Sequence, residues 1–85
     1  MKNQQIAGIF SNIADLLEIK GDNPFRIRAY RRAAQEIEGL ADDISAMTEE
    51  MLTGLHGIGK DLAGKIREFL ITGKVNAYEK LKAEI

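Results

Sequence analysis

The chain has no cysteine and no tryptophan, and only one histidine and one proline. The missing thiol excludes a disulfide framework, a thiolate metal site and a cysteine nucleophile together. A single histidine without an evident carboxylate or nucleophile partner is a poor catalytic constellation, so His56 is expected to pack within the turn that carries it. A basic excess is lacking too. Twelve Lys and Arg stand against thirteen Asp and Glu, a formal net charge of −1, which excludes attraction to nucleic acid by bulk charge. An anion would have to be held locally, as backbone amides at a helix N-terminus can do without a basic composition. No apolar run approaches the roughly 18 residues of a membrane span. The opening MKNQQIAGIF lacks the long apolar stretch of a secretory signal, and a cytoplasmic protein with no membrane partner is expected. Asp42, Asp43, Glu49 and Glu50 lack the glycine and spacing of a calcium loop and read as helix caps and solubilising charge.

What is present is helical periodicity. Ile6, Ile9, Phe10, Ile13, Leu16 and Leu17 recur at three-and-four spacing, predicting a first helix over 4–20 with Asn3 as its cap. Asn23 and Pro24 have the form of a cap and a first helical residue, so a second helix is expected over 24–38, ended by Gly39. Residues 40–46 can form only a turn or so of helix. Thr48 followed by Glu49 and Glu50 reads as a capped short helix ending near Gly54. Leu62, Ile66, Phe69 and Leu70 define a further helix up to Gly73, and Val75, Tyr78, Leu81 and Ile85 a last short one. With no strand pattern, repeat or low-complexity tract, the expected fold is all-α, one compact bundle of four to five short helices over 1–85. A domain this small buries only about 60–65% of its unfolded surface, so its stability margin is thin.

Between the third and fourth helices lies Leu55-His56-Gly57-Ile58-Gly59-Lys60. Two glycines flanking one aliphatic residue make a tight reversal in which the backbone can approach a target closely. The amides of Gly57, Gly59 and Lys60 would point outward from the N-terminus of the following helix, with Ile58 tucked inward. Such a site suits a phosphate oxygen. On the second helix Arg28, Arg31 and Arg32 project together, away from Ile27, Tyr30, Ala34 and Ile37. They form either a second set of phosphate contacts or a solvated face balanced by acids of the first helix.

LHGIGKDLAGKI resembles the helix-hairpin-helix signature: Leu55, Gly57, Ile58, Gly59, Ala63 and Ile66 match, and His56 replaces the usual proline. GDNPFRIRAYRRAAQEIEGL, the hairpin and FLITGK extend the resemblance over nearly the whole chain, to the N-terminal domain of the X family of DNA polymerases. The resemblance implies sequence-independent binding of gapped, nicked or single-stranded DNA on its 5′-phosphate side, in the service of repair synthesis. It also implies a monomer, nucleoid-associated when bound to DNA, and an attached polymerase domain beyond these residues, which hold no polymerase active site. Arg26 aligns with a basic residue of the family. The carbonyls of Thr53, Leu55 and Ile58 align with those that hold a monovalent cation; no other cofactor is implied.

In the polymerase beta branch the same domain removes a 5′-deoxyribose phosphate through a Schiff base, and the resemblance places that nucleophile at Lys65, with Tyr30 as a pocket residue. Lys65 lies at the edge of the stripe Leu62, Ile66, Phe69, where partial burial is expected to lower its pKa, or where it simply snorkels to water. Asp61 and Ala77 stand where that branch has accessory lysines. A carboxylate at Asp61 repels a phosphate, while Lys60 partly substitutes. Phe25 aligns with an aromatic that stacks on a template base, although packing at the helix end is the expectation here. Three readings result: a DNA-binding module, a lyase on Lys65, and a protein-interaction domain, the last favoured by the negative net charge.

Overall fold

The computed structural model describes residues 2–85. Among these residues five α-helices follow one another: α1 Lys2–Lys20, α2 Pro24–Glu38, α3 Glu49–Thr53, α4 Lys60–Thr72 and α5 Asn76–Glu84, with a single 3₁₀ turn, Ile44–Ala46, before α3. There is no strand among the described residues. The expected all-helical bundle is thus the observed one.

The punctuation read from the sequence acts locally. Pro24 occupies the first turn of α2, and Asn23 Oδ1 accepts from the Phe25 amide at 2.8 Å. Thr48 Oγ1 accepts from the Met51 amide at 3.2 Å at the start of α3, where Glu49 and Glu50 face the positive helix end. Gly73 ends α4 at φ 80°, its amide donating to the Phe69 carbonyl at 2.7 Å. Glu68 of α4 then accepts from the Asn76 amide at 3.1 Å and starts α5.

Asn3 departs from expectation. It lies inside α1 rather than capping it and is 3% exposed. Its Nδ2 donates to the Asp42 carbonyl at 2.8 Å, and its Oδ1 accepts from the Ile44 amide at 2.8 Å. A buried amide satisfied on both sides contributes more than a cap at a fraying end, and it ties the α2–α3 connection to the start of α1.

Ile6, Phe10, Ile13 and Leu17 turn one face of α1 onto Tyr30, Ala33, Ala34 and Ile37 of α2. The Phe10 and Tyr30 rings meet edge to face, centroids 5.6 Å apart at 72°. Leu52, Ile58, Leu62 and Ile66 bring the hairpin into the same core, and Leu81 seats α5 on it. Ile85, expected on the apolar stripe of α5, falls after its last turn and is exposed. Among the described residues no helix is long and apolar enough to cross a membrane.

Candidate nucleic-acid interface

The reversal between α3 and α4 is a hydrogen-bonded turn: the Ile58 amide donates to the Leu55 carbonyl at 3.1 Å. Gly57, third in the turn, has φ 80°, a conformation that a residue with a Cβ adopts only with strain. The turn directs Ile58 into the core, 3% exposed, as expected. That burial fixes the loop against α4 and leaves Gly57, Gly59 and Lys60 exposed.

Gly59 precedes α4 with φ −92° and ψ −172°, an extended conformation open to any residue. No side chain caps the helix there, so its first amides stay open toward solvent. A Cβ built on Gly57 or Gly59 would meet nothing within 4 Å inside the molecule. The free protein therefore has no steric need of glycine at 59. The clearance is on the outside, where a ligand would approach.

Lys65 follows one turn into α4, its side chain 18% exposed. Its Nζ donates to Asp61 Oδ1 at 2.8 Å. Burial pulls its pKa down, but the hydrogen bond to the Asp61 carboxylate, with the charges of Tyr30 and Asp61, outweighs burial and leaves the pKa above the ordinary 10.5. The expected lowering is therefore reversed. Partial burial is present as anticipated, but it comes with an ion pair that holds the amine protonated.

The arginines of α2 are engaged differently, and the balance by acids of the first helix that was one expected alternative holds for Arg31. Arg31 is engaged by α1, with Nη1 3.1 Å from Asp15 and Nη2 3.6 Å from Glu18. Arg26 pairs with Asp22 at 3.3 Å. Arg28 lies over the Phe25 ring, 5.2 Å from its centroid, and Arg32 is exposed and makes no ion pair among the described residues. Phe25 is not packed at the helix end but 73% exposed, and His56 is exposed rather than packed. The turn needs only Ile58 for its anchor, so nothing draws the imidazole inward.

Arg26 and Tyr30, one turn apart on α2, and the distant Ala77 line one pocket of about 240 Å³ between the end of α1, the start of α2, and α5. Lys20, Asp22, Lys80 and Glu84 line it too, and these four were not singled out from the sequence. Lys20 pairs with Glu84. The Asp22 carboxyl is held below the usual carboxylate range, first by the hydrogen bond from the Asn23 amide and then by Arg26 and Lys20. Lys20 and Glu84 are 64 positions apart, so no local pattern announces their pairing.

Among the described residues no three His, Cys, Asp or Glu side chains are grouped to hold a metal ion. The hairpin carbonyls are different donors. The Leu55 oxygen accepts from Ile58, while those of Thr53 and Ile58 accept none of the turn's own bonds.

Residues 1–75 match the family described as helix-hairpin-helix domain. Over its 85 residues the chain is also 36% identical to the DNA polymerase/3′-5′ exonuclease PolX of Bacillus subtilis (strain 168), of whose length it spans 15%.

Proposed function

The chain belongs to the helix-hairpin-helix domain family, and from that premise we propose that it binds DNA at gaps or nicks through the sugar-phosphate backbone and a 5′-phosphate. In this reading it serves repair synthesis by an attached X-family polymerase, as a monomeric module. The observation that carries the proposal is the uncapped N-terminus of α4 behind two glycines whose outward side is empty. Amides of Gly57, Gly59 and Lys60 hold phosphate oxygens there, with the helix dipole favouring the negative charge. Lys60, Arg28 and Arg32 add cationic contacts. Arg31 and Arg26 contribute less, since carboxylates already answer them. A monovalent cation on the carbonyls of Thr53, Leu55 and Ile58 would supply a positive charge facing the same phosphate. Similarity to a protein named as a DNA polymerase supports the polymerase context.

Schiff-base lyase chemistry on Lys65, with Tyr30 beside it, is the rival function. It requires a free amine, and the Asp61 pair opposes one. A protein-interaction role rests on net charge alone. Recognition by amides makes net charge a weak discriminator.

The deciding experiment measures binding to one-nucleotide-gapped DNA with and without a 5′-phosphate, at low and moderate salt. The expected result is tighter binding to the phosphorylated gap and an affinity that falls with salt by a slope of roughly 0.9 per duplex phosphate contacted. No binding to either DNA at low salt would remove the reading and favour a protein partner. Borohydride trapping on abasic DNA, lost in Lys65→Ala, would establish the lyase instead.

A further inference from the structure

Inside α4 stands a glycine that the fold itself does not use. Gly64 lies on the second turn of the helix, a position where glycine is the least favourable residue after proline. A Cβ built there would meet nothing within 4 Å, so no neighbouring element requires the missing side chain. Glycine within a helix either lets another part of the molecule pack closely or leaves room for something outside it, and only the second holds here.

Lys60 and Arg67, one turn before and one turn after Gly64, flank this gap on the exposed side of α4, roughly 10 Å apart along the helix axis. Neither makes an ion pair among the described residues. The acids of the same side are already engaged. Asp61 Oδ1 accepts from Lys65 Nζ at 2.8 Å, a pair without net charge, and Glu68 Oε2 accepts from the Asn76 amide at 3.1 Å. Ile71, one turn beyond Arg67 and 76% exposed, ends the row without a charge. The outcome is a notch with a free cation on each side, continuous with the hairpin because Lys60 directly follows Gly59.

We propose that this notch is a second contact with the DNA backbone: the strand whose phosphate reaches the hairpin amides continues across α4 at Gly64, and Arg67 holds a further phosphate of that strand. This rests on the DNA-binding reading above and adds to it the path of the strand over the domain. The partner follows from charge complementarity. A nucleic-acid strand is anionic along its whole length, so it faces Lys60 and Arg67 at once while its backbone lies in the gap between them. A side chain at position 64 would lift the strand from the helix and carry it away from Arg67. The contact positions the strand and reads no base.

The test compares the parent chain with Gly64→Leu and Arg67→Gln by anisotropy titration of one-nucleotide-gapped DNA at several salt concentrations, with thermal melts on the same samples. Gly64→Leu should raise Tm by about 3–8 °C, because a good helix former replaces glycine in open space, and should nevertheless weaken binding. Stability and affinity that move in opposite directions exclude a folding defect as the cause. Arg67→Gln should weaken binding by about two- to fivefold and reduce the salt slope by about 0.9, the share of one phosphate contact. A Gly64→Leu protein that binds as tightly as the parent, or one that melts lower, overturns the proposal, as does an unchanged salt slope in Arg67→Gln. Gly59→Ala in the same series separates this inference from the reading beneath it. If Gly59→Ala alone weakens binding, the hairpin contact stands and the path over α4 falls. If the parent binds no DNA even at low salt, both fall together.

Discussion

Replacing Gly59 by alanine separates binding from folding. The residue has an extended backbone at φ −92°, and an added Cβ meets nothing within 4 Å. Two small effects on stability oppose each other. Alanine is a poorer residue than glycine just before a helix, by up to about 1 kcal/mol, and it restricts the unfolded chain, a gain of about 0.4–1 kcal/mol. The net change should stay within about 1 kcal/mol, at most about 4–8 °C in Tm for a domain of this size. Binding should respond very differently. In the proposed binding mode a methyl group on the outer side of the turn would stand where the phosphate approaches the amides. Losing one hydrogen bond to a charged oxygen costs about 1.5–3 kcal/mol, or roughly tenfold to a hundredfold in Kd. Anisotropy titration of gapped DNA, with circular-dichroism melts on the same samples, reads both quantities. A Gly59→Ala protein that melts with the parent and binds as tightly would refute the claim that phosphate reaches these amides. One that unfolds would refute the claim of open space. Gly57 cannot serve, because its φ of 80° would add backbone strain to any loss of contact.

Other perturbations test the remaining parts. Ile58→Ala removes the anchor of the hairpin, 3% exposed, and should cost about 2–5 kcal/mol in denaturant unfolding; a loss well under 1 kcal/mol would show that the turn does not depend on that burial. Asp61→Asn should lower the Lys65 pKa, since burial then lacks the opposing carboxylate, and nitrogen-detected NMR titration of the amine should show it. In the parent the pair's contribution to stability is present below pH 10.5 and lost only as pH rises through the higher folded value. A Lys65 titration unchanged by Asp61→Asn would contradict the pairing. The Asp43 carboxyl, which accepts from the Ser45 amide at 2.9 Å, is held below its usual 3.8 chiefly by that bond. Its contribution is present above the unfolded value and fades as pH falls through the lower folded one. Asp43→Asn should therefore flatten the acid limb of the stability curve below about pH 4, as followed by melts across that range.

How much could be read in advance depended on how far each interaction reaches along the chain. The start of α2 was legible because Asn23, Pro24 and the Phe25 amide lie within three positions, and the hairpin because Gly57, Ile58 and Gly59 carry the whole turn. Asn3 misled because its partners lie 39 and 41 positions away, where a cap-forming residue and a buried clamp look alike. Lys65 was placed correctly at the edge of an apolar stripe, but its protonation depended on which side chain met it. Asp61 was visible four residues earlier as an obstacle to phosphate, although not as a partner for the amine. Phe25 and Arg28 show a similar limit. Apolar character suggested packing for the ring, whereas α1 and α2 close their core on Tyr30 and leave Phe25 outside beneath an arginine.

The open end of α4 has a consequence for chemical control of the domain. Main-chain amides have no titratable proton near neutral pH, and neither lysine acetylation nor arginine methylation can reach them. Modifying Lys60 or Arg32 would weaken attraction at a distance while leaving the short-range grip intact. An interface made in this way is tuned through encounter rate and salt response, and is switched off only by changing the path of the chain itself.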